Sequence, residues 1–111
     1  MLRSIALLAA TLAAAMPAAA QYGPPSESCS VAAVPEGFVP LRDAPSAQGK
    51  VILEMKQDAQ VVPRTDRARW RRGSFVLVSH RAPGVSVEEA LKSGLLGWMT
   101  ERQQSGCKLP Q

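Results

Sequence analysis

The chain has 111 residues, 46 % of them hydrophobic and 5 % aromatic, with a formal net charge of +4. That length is enough for one domain with a modest core. The mild positive balance permits an anionic partner without requiring one, and no nucleic-acid partner is expected from it.

The N-terminal residues read as an export signal. Arg3 carries the charge of an n-region, and Ile5 to Ala15 is an apolar run of about eleven residues, the length of a signal h-region. A transmembrane helix needs roughly 20 apolar residues, and Pro17 interrupts this run earlier. Ala18-Ala19-Ala20 presents small side chains for cleavage before Gln21, so residues 1–20 are expected to be a cleavable signal peptide. The alternative is an uncleaved N-terminal anchor. No Cys follows the h-region directly, which argues against a lipoprotein signal. Cleavage of residues 1–20 from the 111 leaves 91 and lowers the charge from +4 to +3 by removing Arg3. A periplasmic or secreted location is expected, with no stable membrane insertion after cleavage.

Gln21 to Ser30 is rich in Pro, Gly and Ser and reads as a flexible leader. The expected domain spans residues 31–107, with a tail over 108–111. Val31 to Val39 is apolar but cut by Pro35, which suits an edge strand or irregular extended chain. Pro40, Pro45, Ser46 and Gly49 mark a loop. Val51-Ile52-Leu53-Glu54-Met55 then reads as a strand, with Val51, Leu53 and Met55 on one face. Gln57-Asp58 is a turn, and Ala59 to Val62 another short strand before Pro63.

Arg67 to Arg72 alternates if extended: Arg67, Arg69 and Arg71 point one way, and Ala68, Trp70 and Arg72 the other. Gly73 marks a turn or bulge. Phe75-Val76-Leu77-Val78 is continuously apolar, as in a strand covered on both faces. Ser86-Val87-Glu88-Glu89 is a capping box, in which Ser86 accepts from the Glu89 amide while Glu89 reaches back. Val85 can staple onto Ala90, and Gly94 suits a left-handed residue after the helix end. A helix of about two turns is therefore expected over Ser86 to Ser93. It is too short to be stable alone, so Val87 and Leu91 should be buried against the Phe75 to Val78 strand. Leu95 to Met99 reads as a last strand, and Thr100 to Gln111 as a polar tail.

Cys29 and Cys107 are the two cysteines. In an oxidising compartment an intramolecular disulfide between them is expected, because small exported domains supplement thin cores in this way. Free thiols or a bridge between chains are the alternatives.

About five short strands, Pro and Gly punctuation and one inserted helix over 86–93 describe an all-β domain, a compact barrel or sandwich. The run Leu41-Arg42-Asp43-Ala44-Pro45-Ser46, the Val51-Ile52 strand, Val61-Val62, the lone Trp70 and the closing Gly97-Trp98-Met99 resemble the bacterial SH3-like domain. The resemblance covers roughly Phe38 to Arg102. It implies a small SH3-like β-barrel, commonly a non-catalytic binding or targeting module in cell-envelope proteins. Ala44 stands where that family usually has Gly, and Arg81 to Ser93 exceeds the usual hairpin length. The acidic and aromatic groove motif of eukaryotic signalling SH3 domains is absent, so recognition of Pro-rich ligands does not carry over.

The sharpest local chemistry lies in Arg64 to Arg72. Guanidinium groups chelate phosphate or carboxylate bidentately, which makes Arg67, Arg69 and Arg71 the candidate binding surface. Trp70, on the opposite side of the alternation, is expected to point into the core, as is Trp98 at a strand centre. His80 has no Cys, His or carboxylate at ligand spacing, so no metal is expected. No pair of carboxylates, Ser–His arrangement or Gly-rich phosphate loop is present, which leaves no catalytic residues and no cofactor to assign. The expected function is a monomeric, exported, non-catalytic module. Its partner would be a cell-envelope polymer, either peptidoglycan peptide or anionic glycan or lipid, or else a protein. The alternative is a small structural or inhibitory protein that docks on a periplasmic enzyme through an exposed strand edge.

Overall fold

In the computed structural model of the chain the structure is described for residues 28–108. The expected signal peptide with its cleavage point, and the leader as far as Glu27, lie outside the described residues. So does the tail from residue 109.

The domain is all-β with one short helix. Its strands are β1 (Ser28–Val31), β2 (Val39–Arg42), β3 (Val51–Met55), β4 (Gln60–Pro63), β5 (Arg71–Arg72), β6 (Phe75–Arg81), β7 (Leu96–Thr100) and β8 (Gln104–Lys108). The helix α1 (Val87–Ser93) joins β6 to β7, and a 3-10 turn over Glu101–Gln103 joins β7 to β8. All pairings are antiparallel within one sheet ordered β3-β2-β7-β6-β4-β1-β8, with β5 added beside β6. The sheet runs from β3 to β8 without closing. This corrects the expectation of a closed five-stranded barrel: the described residues form eight strands in one open sheet.

Three of the added elements fall where the sequence reads as loop or leader. Ser28 to Ser30 belong to β1, which sits between β4 and β8. Val39 to Arg42 form β2 despite Pro40, whose missing N–H is tolerated near a sheet edge. The polar segment Gln104 to Lys108 is β8, paired to β1 with a register shift between Ser28 and Ser30. That irregularity, with Gly106 at φ 55°, brings Cys107 beside Cys29, and the two form a disulfide. Backbone pairing with β1 and the cross-link together hold β8, which has little apolar surface of its own.

The core lies on one face of the sheet. Val39 and Leu41 of β2, Val76 and Val78 of β6, Met99 of β7, Val61 of β4, and Cys29 and Val31 of β1 are all fully buried there, with Met55 beside them. Gly97 belongs to this face because Leu41 lies over it: a Cβ at residue 97 would fall 2.6 Å from the Leu41 Cγ. Val51, Leu53 and Met55 do not share a face as simple alternation demands. Leu53 and Met55 pair with the inward-facing Leu41 and Val39, but a bulge pairs Val51 with Arg42 and turns it outward, 40 % exposed.

Helix α1 forms where the capping sequence places it. The Glu89 amide donates to the Ser86 hydroxyl at 3.0 Å. The reciprocal half of the capping box is absent, because the Glu89 carboxylate instead accepts from the Ser93 hydroxyl at 2.8 Å. Gly94 is extended (φ −69°), not left-handed. It is required by close approach, since a Cβ there would lie 2.5 Å from the Ala90 carbonyl oxygen and against that of His80. Ala90 is the buried residue of α1, whereas Val87 and Leu91 are half-buried. The segments flanking the helix are tied to the His80 end of β6, where the His80 amide donates to the Leu95 carbonyl at 2.8 Å and Arg81 Nε to the Val85 carbonyl at 2.5 Å.

Candidate functional site

The segment from Arg64 to Arg72 leaves β4 and returns as β5. Extended alternation is overturned here. Thr65 to Arg69 form turns, Arg69 adopts a left-handed backbone (φ 63°), and only Arg71 and Arg72 are in a strand. A positive φ at a long side chain is uncommon, and its neighbours hold it. Arg67 donates from its amide to the Arg64 carbonyl at 3.0 Å, and the Leu77 amide donates to the Trp70 carbonyl at 2.7 Å.

Arg64 is the anchor of this loop and is only 6 % exposed. Its Nη1 donates to the Ser79 hydroxyl at 3.0 Å, while Nε and Nη2 chelate the two oxygens of Asp66 at 3.1 and 2.9 Å. A buried guanidinium left unpaired would be strongly destabilising, so Asp66 completes the fold at this point. Burial pushes the Asp66 carboxyl up, but the hydrogen bond and charge of Arg64, its own backbone amide and the charge of Arg67 together hold it below the usual carboxylate value.

The predicted binding residues Arg67, Arg69 and Arg71 are all exposed. They are not equivalent. Arg71 stacks over the Trp70 ring at 4.9 Å and pairs with Glu101 at 2.7 Å, so its charge is largely answered. Among the described residues Arg67, Arg69 and Arg72 have no carboxylate within ion-pair distance. Arg72, which alternation sets on the other side of the strand, therefore belongs with the free cations. Trp70 is half-buried and packs against the core. Trp98 does not join that core. It pairs with Leu77 and Arg42 on the opposite face of the sheet, half-buried.

That opposite face also carries a groove of about 380 Å³, lined by Phe38, Pro40, Arg42, Val51, Phe75 and Thr100 among others. No local pattern in the sequence marks this groove, because the bulge in β3 and the β2–β7 pairing assemble it from distant segments. A second cavity, of about 350 Å³, lies between α1 and the end of β6, with His80, Glu89 and Ser93 on its wall. Burial lowers the His80 pKa below its ordinary value. No group of three metal-ligating side chains is found among the described residues. Compared with protein families, with curated proteins and with solved structures, the chain gives no match.

Proposed function

We propose that the chain is an exported, non-catalytic SH3-like binding module whose basic loop takes an anionic component of the cell envelope. The observation that carries this reading is the group of exposed arginines, Arg67, Arg69 and Arg72, without carboxylate partners among the described residues. Arg67 and Arg69 sit on a loop tied down by the partly buried Arg64–Asp66 pair and by Trp70, and Arg72 follows in β5. Guanidinium groups make bidentate contacts to phosphate or carboxylate. The disulfide is compatible with export, and no helix among the described residues is long and apolar enough to cross a membrane. What supports the family reading is that two of its motifs are neighbours, Arg42 pairing with Trp98 across β2 and β7.

The test is co-sedimentation with purified peptidoglycan and with vesicles containing anionic lipid, at low and high salt. Binding is expected to weaken steeply as salt rises, since exposed charges about 10 Å apart are screened at ~0.1 M ionic strength. The triple variant R67Q/R69Q/R72Q should lose binding while retaining its melting temperature, because exposed charges contribute little to folding. If the triple variant binds as the parent does at both salt concentrations, the polyanion reading fails. Docking through the edge of β3, which among the described residues pairs only with β2 and exposes Val51, then becomes the better account.

A further inference from the structure

The groove on the face opposite the core is lined by none of the arginines of the basic loop. We propose that it binds a single carboxylate attached to an apolar or aromatic body, with Arg42 as the anion contact.

Arg42 is half-buried at the end of β2 and its Nη1 donates to the Gly49 carbonyl at 2.8 Å. That bond orients the guanidinium, and Gly49 in turn is held by the turn at Ala44 to Ser46. Among the described residues the other guanidinium nitrogens of Arg42 have no hydrogen-bond partner, and no carboxylate pairs with it. A cation that is oriented, partly desolvated and unpaired is a pre-organised anion contact. Register puts Arg42 on the same face as Val51 and Trp98, and Phe75 on the same face as Thr100. Phe38 and Phe75 with Pro40 and Val51 supply apolar wall around the cation.

The volume of about 380 Å³ is near the lower end of ligand sites and suits a small molecule or a chain terminus. Among the described residues Glu36 is the one acidic group on the lining. It disfavours polyanions, which would meet it with a second charge, and leaves a monocarboxylate as the better fit. A free aromatic acid and the C-terminus of a peptide both present this chemistry.

The experiment is an amide-resolved NMR titration of the full mature chain with 3-phenylpropionate, its primary amide, and acetyl-Ala-Ala-Phe with a free C-terminus. Both acids should shift the resonances of Arg42, Phe75 and Thr100 saturably, and the amide should bind at least about tenfold more weakly, as expected on losing a charge-assisted contact. Tighter binding of the peptide than of the small acid would identify a chain terminus as the natural occupant, and the reverse a free acid. R42Q should weaken both acids by a similar factor. Because Arg42 also braces the loop at Gly49, A47W is the second variant: it fills the groove from an exposed loop position and should abolish binding with Arg42 intact. Equal binding of acid and amide, or no saturable shift at ten millimolar ligand, would overturn the proposal. So would shifts confined to residues 64–72, since those would belong to the basic loop alone.

Discussion

Arg64 and Asp66 were visible in the sequence only as members of a basic run, yet one is buried and the other is its counter-charge. Alternation misreads the run because it assumes an extended backbone. The chelate between residues two apart, and the left-handed Arg69, require a turn instead. Nothing in a single sequence weighs that ion pair against strand geometry. The pair has a pH signature. The folded state holds the Asp66 carboxyl below its ordinary 3.8, so its stabilisation is complete above that value and is lost as pH falls through the folded pKa. His80 acts at higher pH. Its folded pKa lies below 6.5, so the unfolded chain takes up the proton first, and stability declines as pH falls below 6.5. Urea unfolding from pH 7 to pH 3 should therefore show two declines. H80Q is expected to flatten the first, and D66N to lower stability near neutrality while flattening the second.

At the scale of elements, α1 was legible and its surroundings were not. Ser86 caps it as the sequence indicates, because a cap is a local hydrogen bond between residues three apart. S86A should cost about 0.5–2 kcal/mol in chemical denaturation. The tertiary seat of the helix depends on β6 and on how closely the chain passes it. Ala90 is thus the buried residue, while Leu91 is only half-buried. G94A should cost about 1–3 kcal/mol, since the added methyl meets two backbone carbonyls that cannot swing aside. The β3 strand was also legible, but its single-face pattern was not. A bulge changes which side chains face inward without changing the residues that write the pattern.

For the whole molecule, the all-β class and the Cys29–Cys107 pairing could be read from the chain, whereas the strand count could not. The terminal strands β1 and β8 are short and rich in polar or small residues; β1 is a strand through β4 and β8, and β8 through β1. Pairing of that kind is a long-range property that local patterning does not encode. The disulfide closes a loop whose ends are 78 residues apart. The chain-entropy relation puts its stabilisation at about 4.5 kcal/mol. C29S and C107S should each lose about 2–5 kcal/mol, with C29S the worse because Cys29 is buried in the core and Cys107 is exposed. Denaturant melts of the two variants against the oxidised parent, with the reduced parent as control, check the size and the order.

The cross-link also makes the described domain a covalent ring, since nearly every residue lies between its two bridged cysteines. A single peptide-bond cut within that span, for instance in the exposed turn around Gln48, opens the ring without dividing the molecule. The two pieces stay joined through sulfur, and the sheet that spans them remains paired. When a protease reaches the folded chain, one hydrolytic event in a loop is then a change of connectivity and not a loss of the fold. It takes a second cut, or a reductant, to release a fragment.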